Sequence, residues 1–147
     1  MLLIGLTFLC ACRSFPVGGT LPAEDQLRFK LQNFHQALGQ GDIAVMYELT
    51  SPQIRKRMSL EAYKKDLRWD KNAHRRRLSE ITADLTKSCP CEQQEALRCV
   101  LVVDLLVKES GKAPYREQPL ETWDFQDGHW SWVYMGPDTG GRCPGEK

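Results

Sequence analysis

Residues Leu120 to Met135 read L-E-T-W-D-F-Q-D-G-H-W-S-W-V-Y-M, and how this stretch folds decides the rest. Asp127-Gly128 is a pair favoured at the centre of a two-residue type I′ hairpin turn, where both residues need φ > 0. Such a turn sets Gln126 opposite His129, Phe125 opposite Trp130, Asp124 opposite Ser131 and Trp123 opposite Trp132. Alternation then gathers Trp123, Phe125, Trp130, Trp132 and Tyr134 on one face, with Thr122, Asp124, Gln126, His129 and Ser131 on the other. A slip of one residue would take the aromatics out of line, so turn chemistry and alternation agree on one register. An aromatic face of this size needs a cover.

The cover is sought in the helical half of the chain. From Pro22 to Leu38, Leu27, Leu31, Phe34 and Leu38 recur at three and four residues, the period of an amphipathic helix. Gly39 and Gly41 end it, since glycine adopts a left-handed cap at little cost. Asp42 then caps a second helix with Ile43, Met46 and Tyr47 on its inner face. Ser51-Pro52 opens a third, with serine at the N-cap and proline in the first turn. Ser59 caps a fourth along Leu60, Tyr63 and Leu67. The hairpin is expected to pack on these helices through Leu27, Leu31, Phe34, Tyr47 and Tyr63.

Beyond about residue 70 the period becomes two. Ile81, Ala83 and Leu85 mark a half-buried strand, and Leu97 to Val107 is apolar enough for a central strand covered on both faces. Tyr115 to Gln126 and His129 to Met135 supply the third and fourth. Helices first and a meander of strands after them predict an α+β domain, with helices on one face of a four-stranded antiparallel sheet.

At 147 residues the chain fits one domain with a real core. Its 27% charged and 41% hydrophobic residues are ordinary for a globular protein, and net charge is +1. Residues 55–77, however, hold ten Lys or Arg against three Asp or Glu, while residues 78–147 hold seven against twelve. The middle is a basic segment in an otherwise acidic chain.

Met1 to Cys12, M-L-L-I-G-L-T-F-L-C-A-C, is apolar but shorter than the ~20 residues of a membrane-spanning helix. It has the shape of an export signal. Its last four residues, Leu9-Cys10-Ala11-Cys12, resemble the bacterial lipobox, which is cut before a cysteine that is then acylated. The resemblance implies a signal over 1–11 and a lipid on Cys12, with a tether to residue 21. It also implies an outer-membrane anchor facing the periplasm, because Arg13 rather than Asp follows Cys12. An ordinary secretory signal is the alternative. Cys89, Cys91, Cys99 and Cys143 then remain, and four cysteines in an exported domain favour disulfides in one of three connectivities. A bridge from Cys89 or Cys91 to Cys99 is the leading arrangement, with Cys143 tying the 137–147 tail to the remaining thiol. A hairpin register setting Cys89 opposite Cys99 also sets Leu85 opposite Val103 and Ala83 opposite Leu105; the register through Cys91 keeps the same faces. A metal or redox site on Cys89-Pro90-Cys91 lacks an evident further ligand, so neither metal nor cofactor is expected.

The stretches Phe34-His-Gln-Ala-Leu-Gly-Gln-Gly-Asp42, Met46-Tyr-Glu-Leu-Thr-Ser-Pro52 and W-D-F-Q-D-G-H-W-S-W resemble the nuclear transport factor 2-like superfamily. The resemblance implies a cone-shaped α+β domain over 22–136 with a curved sheet, in the manner of small lipoprotein domains of the bacterial envelope. The superfamily includes ketosteroid isomerase and scytalone dehydratase, which use a buried acid or histidine inside the cone, but shared fold does not transfer chemistry.

An enzyme of that kind needs a desolvated ionisable group and a donor for the developing oxyanion. The interior candidates are His35, Tyr47, Tyr63, Trp123, Trp130 and Trp132, with His35 directed toward a tyrosine. Asp104 alternates onto the face away from the helices. No catalytic residue is assigned. Arg55, Lys56 and Arg57, with Arg75, Arg76 and Arg77, are candidates for binding anions such as lipid headgroups or acidic polymers. Nucleic acid is not expected without a recognised binding motif. The outer sheet face, with Val100, Val102, Leu106, Val133 and Met135, offers a surface for a second copy or a protein partner, unless the tail or tether covers it. The expectation is a non-catalytic, lipid-anchored envelope domain acting as a binding or accessory module. Its rivals are an isomerase- or dehydratase-like enzyme and a basic adaptor.

Overall fold

The computed structural model describes residues 21–66, 79–89, 92–93 and 97–135. The leader, Cys12, the tether, Leu67, Arg75 to Arg77, Cys91, Cys143 and the tail lie outside the described residues. Among the described residues four helices precede the strands: α1 (Glu24–Gln40), α2 (Ile43–Glu48), α3 (Pro52–Arg57) and α4 (Leu60–Asp66). Gly41 ends α1 at φ 71°, its N–H bonding to the carbonyls of Ala37 and Leu38, while Gly39 stays inside the helix. The expected caps form. Asp42 Oδ1 accepts from the Val45 N–H at 3.1 Å, Ser51 Oγ from Ile54 at 3.3 Å and Ser59 Oγ from Ala62 at 3.2 Å. Each satisfies an orphan donor of a first turn.

The strands are β1 (Ser79–Ser88), β2 (Glu92–Gln93), β3 (Leu97–Glu109), β4 (Tyr115–Glu117), β5 (Leu120–Gln126) and β6 (His129–Met135). All pairings are antiparallel, in the order β1-β3-β5-β6, with β2 and β4 also on β3. Among the described residues six strands therefore stand where four were expected, because two lines of the sheet are broken. β2 continues the line of β1, and β4 and β5 share the other edge of β3. Proline lacks the N–H a ladder needs, so the line breaks at Gln118-Pro119, although the Pro119 carbonyl still accepts from the Val103 N–H.

The final hairpin forms in the expected register about Asp127 (φ 52°) and Gly128 (φ 79°). Beyond Trp132 a register shift pairs Thr122 with Tyr134, so the strict alternation expected of β6 is not kept at residue 134. A second shift, between Leu85 and Lys87, corrects the first strand pair. Ala83 faces Leu105 and Leu85 faces Val103 as expected, but Lys87 then faces Val102 and Ser88 faces Leu101. The Cys89 N–H accordingly bonds the Val100 carbonyl, and Cys89 is not opposite Cys99.

The core lies between the helices and the inner sheet face. Leu27, Leu31, Phe34 and Met46 meet Ile81, Leu101, Val103, Val107, Trp123 and Trp130, all nearly or wholly buried. Each such side chain contributes ~1.5–3 kcal/mol relative to exposure. Cys99 belongs to this core, whereas Cys89 packs on the opposite face with Val102 and Leu120. That outer face is not an open apolar patch at its centre: Val102 is 1% exposed.

One helix serves both sides of the sheet. Gln32 bonds the Ile81 carbonyl and the Ala83 N–H along β1, while Gln26 and Lys30 bond the N–H and carbonyl of Trp130 on β6. The Leu49-Thr50-Ser51 connector bonds the backbone of Trp132, lining β6. These contacts occupy backbone groups that edge strands would otherwise leave open for pairing.

Candidate functional site

The polar centre of the interior is a trio from α1 and β5. His35 joins the inward stripe because it sits four residues after Leu31 and beside Phe34. Glu121 joins the aromatic row because it lies two residues before Trp123 and shares its side of the strand. Both side chains have 0% exposure. His35 Nε2 donates to Glu121 Oε1 at 2.5 Å, and Trp123 Nε1 donates to Glu121 Oε2 at 2.9 Å. Both carboxylate oxygens are thus satisfied, as burial of such a group demands. Phe34 closes the trio: its ring meets His35 and Trp123 edge-on and stacks on Trp132 at 4.8 Å.

Of the interior candidates, His35, Trp123 and Trp132 converge around Phe34, while Trp130 packs against Phe125 at 5.1 Å. His35 does not meet Tyr47 or Tyr63; its partner is Glu121. The two tyrosines pack on each other at 5.3 Å, and the Tyr47 hydroxyl donates to the Met58 carbonyl at 2.6 Å. The Tyr63 hydroxyl is buried without a hydrogen-bond partner among the described residues, and burial pushes its pKa well up. His35 Nδ1 and Trp132 Nε1 are likewise unpartnered there. A neutral imidazole with its proton on Nε2 leaves only a lone pair at Nδ1, whereas an imidazolium would strand an N–H.

Chemically, this arrangement holds a helix to a strand. A catalytic acid or base must reach the proton it moves, and neither His35 nor Glu121 shows surface to solvent. No protein-family model matches the chain, and no curated protein matches it. The site is therefore read from its own geometry. Among the described residues no group of three or more His, Cys, Asp or Glu side chains is placed to hold a metal.

Asp104 lies on the outer face, as alternation requires, opposite Asp84 and in an ion pair with Arg116. Of the basic candidates, Arg55 pairs with Glu48 at 3.0 Å, and Lys56 and Arg57 are exposed on α3. Lys30, which donates to the Trp130 carbonyl at 2.7 Å, has its pKa lowered by burial and by nearby Arg55. An open depression of about 250 Å³ between α1 and β1 is lined by Gln32, Gln36, Gln40, Glu80, Ile81 and Thr82, with no cluster of reactive groups.

Glu121 is the residue sequence reasoning passed over. A third strand over Tyr115 to Gln126 contains Glu121, but the two hairpin faces assigned from the turn begin at Thr122 and Trp123 and leave it out. The available signal was its two-residue step from Trp123, which assigns it to the aromatic row.

Proposed function

We propose that the chain is a non-catalytic cell-envelope domain, held to a bacterial membrane through lipid on Cys12 and acting as a binding or accessory module. In this reading the sheet and helices form the curved cone of the nuclear transport factor 2-like type, and the anchor faces the periplasm from the outer membrane. The observation that carries the non-catalytic part is the burial of the tryptophan row. Trp123 and Trp130 are fully buried and Trp132 nearly so, on the side where an enzyme of that shape keeps its cavity. The acid–histidine pair is spent on internal bonds. α1 bonds both β1 and β6, the two ends of the strand order, as a helix lying across the inner face of such a cone would.

Two measurements test the reading. Intact-mass analysis of the membrane-extracted protein is expected to give the chain from Cys12 with two or three acyl groups, and an unacylated mature chain would remove the anchor. Diethyl pyrocarbonate is expected to modify exposed His129 and to spare His35 in the folded protein. Ready modification of His35 would return the enzyme reading.

A further inference from the structure

The described cations divide by region according to whether they have partners. On α1, Arg28 bridges Glu24 and Asp84, and Lys30 holds the Trp130 carbonyl. On the sheet and its turns, Arg98, Lys108, Lys112 and Arg116 each meet a carboxylate, and Lys87 is engaged as well. On the short helices Arg55 pairs with Glu48 and Lys64 with Glu61. Among the described residues that leaves Lys56, Arg57 and Lys65 as the cations without an ion pair. All three are exposed, and all three stand in the last turns of α3 and α4.

We infer that the α3–α4 surface is the face of the domain that rests on an anionic lipid bilayer, with Lys56, Arg57 and Lys65 meeting the phosphate headgroups. This deepens the envelope reading, which supplies the membrane, and rests on it. Residues 13–23 separate Cys12 from α1, a reach of up to ~40 Å when extended. A tether of that length does not by itself choose which side of the domain meets the membrane. An unpaired basic face does, because each Lys or Arg held near an anionic surface raises partitioning about fivefold.

The apolar side chains of this surface favour a bilayer over a soluble polyanion. Ile54 and Leu60 are half-buried, yet neither is among the described side chains packed on the core, whereas Met58 between them is. Val45 is 41% exposed on α2, one turn before the Glu48 that bonds Arg55, and so on the side of α2 that adjoins α3. α3 itself contains no buried residue. It is held at its ends, by the Ser51 cap and by the Tyr47 hydroxyl on the Met58 carbonyl. Apolar and basic side chains mixed on one exposed surface suit the headgroup region, which takes up charge and hydrocarbon together. A polyanion in water gains only from the charge.

The test uses the full chain carrying Cys12→Ser, which cannot be acylated, with vesicles of phosphatidylcholine alone and of phosphatidylcholine and phosphatidylglycerol in equal parts. At low salt, binding to the mixed vesicles is expected to exceed the phosphatidylcholine baseline by about a hundredfold, three residues at fivefold each. It should fall to that baseline near 1 M salt, where the Debye length is ~3 Å. Lysine acetylation read by mass spectrometry should spare Lys56 and Lys65 on the mixed vesicles alone, while exposed Lys112 reacts to the same extent on both. The triple variant Lys56→Ala, Arg57→Ala, Lys65→Ala should keep the thermal melt, since these side chains hold no ion pair, and should lose the phosphatidylglycerol-dependent binding. Equal binding to both vesicles, or protection of Lys112 in place of Lys56 and Lys65, overturns the inference. Protection by soluble polyphosphate and not by the mixed vesicles would assign the face to an acidic polymer and overturn it too. Binding is read here without the anchor, so an unacylated Cys12 in the native protein would remove the tether and leave this result standing.

Discussion

His35 and Glu121 show how a single buried pair is both costly and binding. Removing His35 leaves Glu121 Oε1 without its donor, and removing Glu121 leaves His35 Nε2 and Trp123 Nε1 without their acceptor, a buried polar group left unsatisfied costing ~1–3 kcal/mol. His35→Ala and Glu121→Ala are each expected to lose that much in urea unfolding, while Glu121→Gln, which keeps an acceptor for Trp123, loses less. Equal losses for Gln and Ala would show that the hydrogen bonds do not hold the pair. Tyr63 presents the opposite case, a buried hydroxyl with no partner among the described residues. Deleting an unpaired hydroxyl removes a desolvation cost, so Tyr63→Phe is expected to gain about 1 kcal/mol at neutral pH. Its raised pKa gives a pH signature. Above about pH 10 the unfolded chain ionises Tyr63 while the folded chain holds the proton, so the unfolded state binds fewer protons and stability falls as pH rises. Thermal melts from pH 8 to 11 should show that decline in the wild type and a shallower one in Tyr63→Phe.

At the scale of elements, local signals and observed structure agree where the determining atoms are close in sequence. Asp42, Ser51 and Ser59 cap their helices because each side-chain oxygen reaches an N–H three residues on. The Asp127-Gly128 turn forms for the same local reason. A Cβ at Gly128 would meet nothing within 4 Å, so the cost of Gly128→Ala is confined to the backbone at φ +79°, about 1–2 kcal/mol. Denaturant midpoints of Gly128→Ala and Gly128→Asn separate the two contributions, since asparagine tolerates the left-handed region and should lose less. The two register shifts were not legible. Each depends on which extra residue the partner strand and the packing beneath will accommodate. Alternation read from Ile81 or Trp123 carries straight past such a point, misplacing Cys89 and residue 134.

For the whole molecule, β3 is the hub. It pairs with β1 and β2 on one edge and with β4 and β5 on the other, and Leu101, Val103, Leu105 and Val107 are almost fully buried. α3, in contrast, contains no buried residue. Amide exchange is therefore expected to be slowest along β3, at the rate of global unfolding, and fast in α3 through local opening. Comparable protection in both would contradict this ordering. The residues 120–135 that decide the fold by themselves determined the hairpin, its turn and the inward row of tryptophans, because turn geometry and a two-residue period are local. The sequence also determined the helices, their caps and the α+β arrangement. Only the tertiary structure decided that Glu121 is the partner of His35, and that Cys89 and Cys99 face apart. Those outcomes depend on contacts between segments as much as 86 residues apart, and on bulges that shift the parity of a strand without leaving a mark in its pattern.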